Sequence, residues 1–320
     1  MPPFSYHRAS SLDDAGDRLA REGSAPLGGG TDLLVAIDEG ITAPAELVDL
    51  RSIEGAADIT PQADGSLRLG GAARLHDIAA HPAVRERWPA LAQACDVVGS
   101  PTLRQMGTLG GNLCQRPRCW YFRQGISCHK TGGDRCPAVD GENQYLAIVN
   151  AGPCHAVHPS DPAVALTVLD ATIEITRRGG MRTVPIGEFF VLPAEPVDRE
   201  TVVEPGEFVS AVVLPPESAG GTQFYHKLMQ REAWDFALVS IAGARRENGE
   251  VRMAMGGVAP APWRVNSSVE EDVSSGGLDE DSIASLTERA LYDVEPLSKN
   301  GYKVQLAGAL LRQAVGELSG

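Results

Sequence analysis

The sequence predicts an α+β fold in two parts, and three observations carry that prediction. First, short segments of strand character such as Glu46–Leu50 and Leu67–Ala72 alternate with segments of helical period. Second, residues 178–222 are crowded with Pro and Gly and end on Pro215-Pro216 and Gly220-Gly221. Third, two apolar runs beyond that stretch, 236–246 and 251–258, are joined by Asn248-Gly249, the strongest short hairpin signal. The boundary is expected near 216–222. This gives a first unit of residues 1–218 and a second, α+β unit of residues 219–320.

The elements follow in order. Ser10 or Ser11 caps a helix with Asp13 and Asp14 in its first turn, Leu12, Ala15, Leu19 and Ala20 on its apolar face, and Gly23 at its end. Pro26–Leu34 reads as a short buried strand, a glycine turn and an apolar segment. Residues 75–97 read as two helices broken near Pro82, with Cys95 in the core. Ala163–Leu169 reads as a helix, and Thr172–Arg177 and Phe208–Leu214 read as strands. Two helices close the chain, near 281–294 and 302–318; Val304, Leu310, Leu311, Val315 and Leu318 give the second a packing stripe.

Composition narrows the function. Charges sum to 28 − 42 = −14 over 320 residues. Such a surface repels nucleic acid and anionic lipid, so neither is expected as a partner. No apolar run approaches the ~18 residues of a membrane span. The start has no basic region followed by an apolar one. The expected compartment is the cytoplasm, or the periplasm by co-export with a partner.

Two glycine turns stand out, Gly28-Gly-Gly-Thr-Asp32 and Gly107-Thr-Leu-Gly-Gly-Asn112. Glycine admits positive φ and close backbone approach, and successive N–H groups can converge on a pyrophosphate. Thr31, Thr108 and Asn112 can add side-chain hydrogen bonds. Neither turn matches the dinucleotide or phosphate-loop fingerprints, and a plain structural turn competes for each. Asp161 follows Ser160; it either caps the helix near Pro162 or accepts hydrogen bonds from sugar hydroxyls.

Five of the six cysteines lie between the second glycine turn and Asp161: Cys114, Cys119, Cys128, Cys136 and Cys154. The gaps are wide, whereas structural zinc prefers close pairs. Widely spaced thiolates suit an iron–sulfur cubane, which takes one per iron. Zinc, a disulfide and inert buried thiols stay open on spacing alone. Arg116, Arg118, Arg123, Lys130 and Arg135 would offset a cluster's charge, or form a solvated basic loop.

Gly28-Gly-Gly-Thr-Asp-Leu-Leu34, Gly107-Thr-Leu-Gly-Gly-Asn-Leu113 and Pro159-Ser-Asp161 resemble the motifs of the FAD-binding medium subunits of molybdenum hydroxylases, the xanthine dehydrogenase and carbon monoxide dehydrogenase flavoprotein family. The likeness covers nearly the whole chain. Tyr225-His-Lys227 and Asp235-Phe-Ala237 look like that family's entry into its C-terminal domain. The insert, about 114–157, is similar to that of a branch holding a [4Fe–4S] cluster, the periplasmic aldehyde oxidoreductase flavin subunit and the 4-hydroxybenzoyl-CoA reductase β subunit.

The resemblance implies an FAD-binding fold of the vanillyl-alcohol-oxidase type followed by a C-terminal domain of the CO dehydrogenase flavoprotein type. It implies that Leu27, Gly28, Gly29, Gly30, Thr31, Asp32 and Leu33, with Thr108, Gly110, Gly111 and Asn112, hold FAD. Gln115, Ser160 and Asp161 would lie near the flavin, and Lys227 would face it. Cys119, Cys128, Cys136 and Cys154 would hold the cluster, with Cys114 left out. It implies no catalytic residue in this chain, an electron-transfer role, a large molybdenum-cofactor subunit, a small [2Fe–2S] subunit, and an acceptor such as ferredoxin. The substrate would be an aldehyde or, alternatively, an aromatic acyl-CoA. A stand-alone flavin oxidase and a zinc-stabilised binding module are the competing classes.

Overall fold

The computed structural model describes residues 1–149, 152–193, 197, 199–232 and 234–319. The chain opens with β1 (Ser5–Arg8), α1 (Leu12–Leu19), β2 (Ser24–Leu27), α2 (Leu33–Asp38) and β3 (Glu46–Asp49). The strands form a parallel sheet in the order β1-β3-β2. Ser11 caps α1, its hydroxyl accepting from the Asp14 N–H at 3.1 Å. Ala15 and Leu19 are buried, whereas Leu12 and Ala20 are exposed, so the helix buries a narrower face than predicted. The apolar segment after the first glycine turn is α2, which buries Ala36 and Ile37.

The second part runs through β4 (Ile59–Pro61), β5 (Leu67–Gly70), α3 (Leu75–Ala80), α4 (Pro82–Arg87), α5 (Pro89–Asp96), α6 (Pro101–Met106), α7 (Leu109–Leu113), α8 (Trp120–Arg123), α9 (Asp161–Val168), β6 (Thr172–Arg177), β7 (Gly180–Pro185), α10 (Ile186–Phe189) and β8 (Phe208–Leu214). Residues 75–97 form three helices, not two, because Pro89 opens a new one at its first turn. The second glycine turn is itself helical: α7 starts inside it, capped by Thr108. The strands make a five-stranded sheet, β4-β5-β8-β6-β7, antiparallel throughout. Trp88, Leu91, Leu109, Leu166, Ile173 and Val212 are central to the core it shares with α3, α5, α7 and α9.

The chain ends with β9 (Thr222–Leu228), β10 (Val239–Arg245), β11 (Val251–Gly256), β12 (Trp263–Arg264), α11 (Ser267–Ser275), α12 (Glu280–Ala290) and α13 (Tyr302–Ser319). The Asn248-Gly249 hairpin forms as predicted, with Gly249 at φ 87° and Arg245 opposite Val251. Leu310, Leu311, Val315 and Leu318 pack α13 onto this sheet, while Val304 is only partly buried. Lys303 is fully buried and donates to the carbonyls of Tyr145, Leu146 and Gly257 at 3.3, 2.9 and 2.5 Å. Asn300 donates to the Leu146 and Ala147 carbonyls at 3.2 and 2.9 Å. These bonds pin the end of the cysteine insert to the start of α13. No described helix is long and apolar enough to cross a membrane.

The turn after β2 lies directly against the loop after α6. A Cβ on Gly29 would meet the Met106 carbonyl oxygen at 1.8 Å. One on Gly187, in α10, would meet nothing within 4 Å. Gly29→Ala should therefore lower the urea midpoint by the equivalent of about 2 kcal/mol or more, an overpacking penalty against backbone. Gly187→Ala should be neutral or stabilise by up to about 1 kcal/mol. Equal midpoints for the two variants would contradict this packing.

Candidate cofactor site

A cleft of about 610 Å³ runs along both glycine turns. Its size lies within the ~300–1,000 Å³ usual for small-molecule and cofactor sites. Gly28 to Leu33 line it, as do Thr108, Gly111, Asn112 and Gln115 and, from farther along the chain, Asp161, Lys227, Asp235 and Phe236. Gly30 takes φ 74° at the turn. Three predicted residues do not line the cleft. Leu27 is buried in a small core with Ile37 and Leu47. Gly110 packs against the carbonyls of Gly71 and Val209. Ser160 joins segments instead: it donates to Asn112 Oδ1 at 2.6 Å and accepts from the Ala163 N–H at 3.1 Å.

That last bond makes Ser160 the cap of α9, so the capping role does not fall to Asp161. The Asp161 carboxylate accepts from the Tyr225 hydroxyl at 2.6 Å and from Lys227 Nζ at 2.8 Å. Lys227 also donates to the Val97 carbonyl at 3.1 Å. Burial pushes the Asp161 carboxyl above its ordinary range, and Lys227 offsets this only in part. Gln115 donates its amide to the Asn112 carbonyl at 2.9 Å, which fixes the side chain at the cleft. Tyr225 was missed as a site residue. Its signal was period two: in a strand, Tyr225 and Lys227 share a face.

Asp32, which lines the cleft, also anchors the insert. Its Oδ1 takes Arg118 at 2.9 Å and Arg123 at 2.8 Å, and its Oδ2 accepts the Arg116 N–H at 2.8 Å. Arg123 also reaches Glu39 at 3.2 Å. Arg116 and Lys130 both pair with Glu200, at 2.7 and 2.6 Å. The cations of the insert are thus largely committed to internal carboxylates. A solvated basic loop does not describe them.

Cys119, Cys128, Cys136 and Cys154 line one small cavity, walled by Tyr121, Phe122, Pro137 and Leu146. All four are free thiols in this structure. Local turns set two of them. Cys119 begins α8 and Cys128 starts a 3₁₀ turn, its N–H donating to Thr131 Oγ1 at 2.8 Å. The Glu142 N–H donates to the Tyr121 hydroxyl at 2.6 Å and folds the loop back. Burial pushes the Cys154 thiol up to about 11 and raises that of Cys119. Among the described residues, no three His, Cys, Asp or Glu side chains are placed to hold one metal ion. Cys114 lines the cleft instead, and Cys95 is core.

Between cleft and thiol cavity lies a hollow of about 300 Å³. Cys119, Trp120, Tyr145 and Leu146 face it from the insert, and Pro159, Asp161 and Phe236 from the cleft side. Trp120 and Tyr145 meet edge to face at 5.4 Å. Position in sequence and position in space agree here: the insert leaves one side of the cleft, gathers its thiols, and returns to the other.

This combination of fold and cleft has known counterparts. Residues 2–217 match the family described as the FAD binding domain in molybdopterin dehydrogenase, and residues 224–318 match the CO dehydrogenase flavoprotein C-terminal domain. The chain therefore belongs to the FAD-binding medium subunits of the molybdenum hydroxylases, a family of oxidoreductases. It is 35% identical over 327 residues to the aldehyde oxidoreductase FAD-binding subunit PaoB of Escherichia coli K12, covering 99% of this chain and 98% of that protein. It is 26% identical to the glyceraldehyde dehydrogenase medium chain of Sulfolobus acidocaldarius, covering 99% of both. The fold matches a chain of carbon monoxide dehydrogenase from Hydrogenophaga pseudoflava with TM-score 0.76 and 22% identity, over 99% of this chain and 98% of that one.

Asp32→Asn weakens the arginine clamp, so limited proteolysis within 118–136 should accelerate about tenfold, the factor that ~1.4 kcal/mol commands. An unchanged cleavage rate would remove Asp32 as the anchor. His158 Nδ1 accepts the Ser160 N–H at 3.3 Å. Burial holds its pKa down to about 4, against 6.5 in the open chain. The unfolded chain therefore takes up a proton that the folded one refuses, and stability falls as pH drops from 6.5 towards 4, by about 3 kcal/mol at most. His158→Gln should flatten that part of the stability curve; an unaltered slope would contradict it.

Proposed function

We propose that this chain is the FAD- and [4Fe–4S]-carrying electron-transfer subunit of a molybdenum-dependent, aldehyde-oxidising complex. The observation that carries this reading is the gathering of Cys119, Cys128, Cys136 and Cys154 around one cavity beside the cleft. Their wide spacing in sequence suits a cluster better than structural zinc, which prefers close pairs. A cubane spreads its ligands, one thiolate per iron. Buried thiols with raised pKa values ionise only against strong positive charge, which bound iron supplies.

The aldehyde assignment rests on the likeness to the aldehyde oxidoreductase subunit. Oxidation of an aldehyde with water to a carboxylic acid releases two electrons and two protons, on a large molybdenum-cofactor subunit. A small [2Fe–2S] subunit would bring the electrons here, the three chains forming a heterotrimer or its dimer. FAD supplies the chemistry of passing electrons singly or in pairs. This chain's residues do the placing. Gly28 to Leu33, Thr108, Gly111 and Asn112 would receive the pyrophosphate and ribityl chain, while the Asp161–Lys227 pair holds charge and hydrogen bonds at the flavin end. The hollow between the cavities borders Cys119 on one side and Asp161 on the other, which supports the reading that the two groups would be neighbours. An acceptor such as ferredoxin would complete the chain, with the unit boundary at 218/219.

Anaerobic purification tests this. The visible spectrum should show flavin with iron–sulfur absorption, and about four irons per chain. Cys128→Ser should lose iron and keep FAD. Zinc in place of iron, or unchanged iron in the variant, would overturn the assignment.

A further inference from the structure

We propose that Glu200 is a positioning residue that links the electrostatics of the thiol cavity to those of the flavin cleft. The proposal rests on the function argued above. Glu200 lies on a short strap held by the Glu200 carbonyl accepting from the Val191 N–H at 2.9 Å and by pairing of Thr201 with Phe190. Its side chain is only 9% exposed. One carboxylate oxygen meets Lys130 Nζ at 2.6 Å, and Lys130 lines the thiol cavity with a side chain 5% exposed. The other meets Arg116 Nε at 2.7 Å, and Arg116 lines the cleft. The Arg116 guanidinium also lies 5.0 Å from the Phe122 ring, and Phe122 is a wall of the thiol cavity.

One buried anion therefore stands between two cations, each facing a different cavity. The trio carries a net single positive charge; Lys130 and Glu200 lie in a low-dielectric region, where charges act more strongly than in water, while Arg116 is partly exposed. A nearby cation stabilises an added electron, so the charge balance here bears on the reduction potential of each group. Removing Lys130 leaves Arg116 compensated and takes positive charge from the cluster side. Removing the Glu200 charge takes the shared negative charge from beside both cations. The two changes act with opposite sign on the cluster, which a purely structural contact does not do.

The test uses the full-length chain, purified anaerobically, with FAD and iron quantified before spectroelectrochemical titration of both groups. Lys130→Met should lower the cluster midpoint enough to change electron sharing between cluster and flavin about tenfold, ~59 mV for one electron. Lys130→Arg should stay near the parent value. Glu200→Gln should raise both midpoints; where it fails to fold, the Lys130 pair decides alone. Loaded variants with parent midpoints overturn the proposal, as do Lys130→Met and Glu200→Gln moving the cluster in the same direction. A parent chain with FAD but no iron removes the function reading as well, which separates the two failures.

Discussion

The carboxylate of Asp32 is the joint on which the site depends. Asp32 stands at the N-cap position of α2, yet its side chain makes no capping bond. A good cap contributes about 1 kcal/mol, and that contribution is forgone. In exchange, two arginines and a backbone N–H of the insert converge on it. Charge-assisted bonds of this kind are stronger than neutral ones, and Arg123 is itself largely buried. The first glycine turn and the cysteine insert are thereby held as one body.

A second joint, Asp161 with Tyr225 and Lys227, brings the C-terminal sheet to the same cleft. Buried ion pairs add little net stability, because desolvation consumes most of the attraction. Their geometry is nonetheless demanding, since a lone partner left behind is costly. The pair thus sets where β9 sits against α9 more than how strongly it sits. Lys303 and Asn300 do the same for the far end of the insert, using carbonyls in place of carboxylates. The insert is tied at its beginning, along its length through Glu200, and at its end.

Much of this was legible in the residues. The hairpin at Asn248-Gly249, the strand Thr172–Arg177 and the cap at Ser11 follow from local rules that tertiary structure did not override. β1 was invisible because Ser-Tyr-His-Arg has no apolar alternation and lies largely exposed. β7 failed for the same reason. The glycines of both turns were read as a phosphate cradle, while the structure adds a second reason for them: turn packs on turn with no room for a side chain. The gathering of the four cysteines was foreseen from the family motifs, not from spacing. The ion pairs of Asp32 and Glu200 could not be foreseen, since each joins residues about 70 or more apart in sequence.

On the proposed function, the insert builds a cluster site within the same unit as the flavin cleft. The most direct test is an anomalous difference map of crystals of the purified chain, collected at the iron edge. The expected result is a compact iron peak bounded by Cys119, Cys128, Cys136 and Cys154, with flavin density along Gly28–Leu33 and Thr108–Asn112. A single zinc peak, or disulfides among those cysteines with no iron, would contradict it.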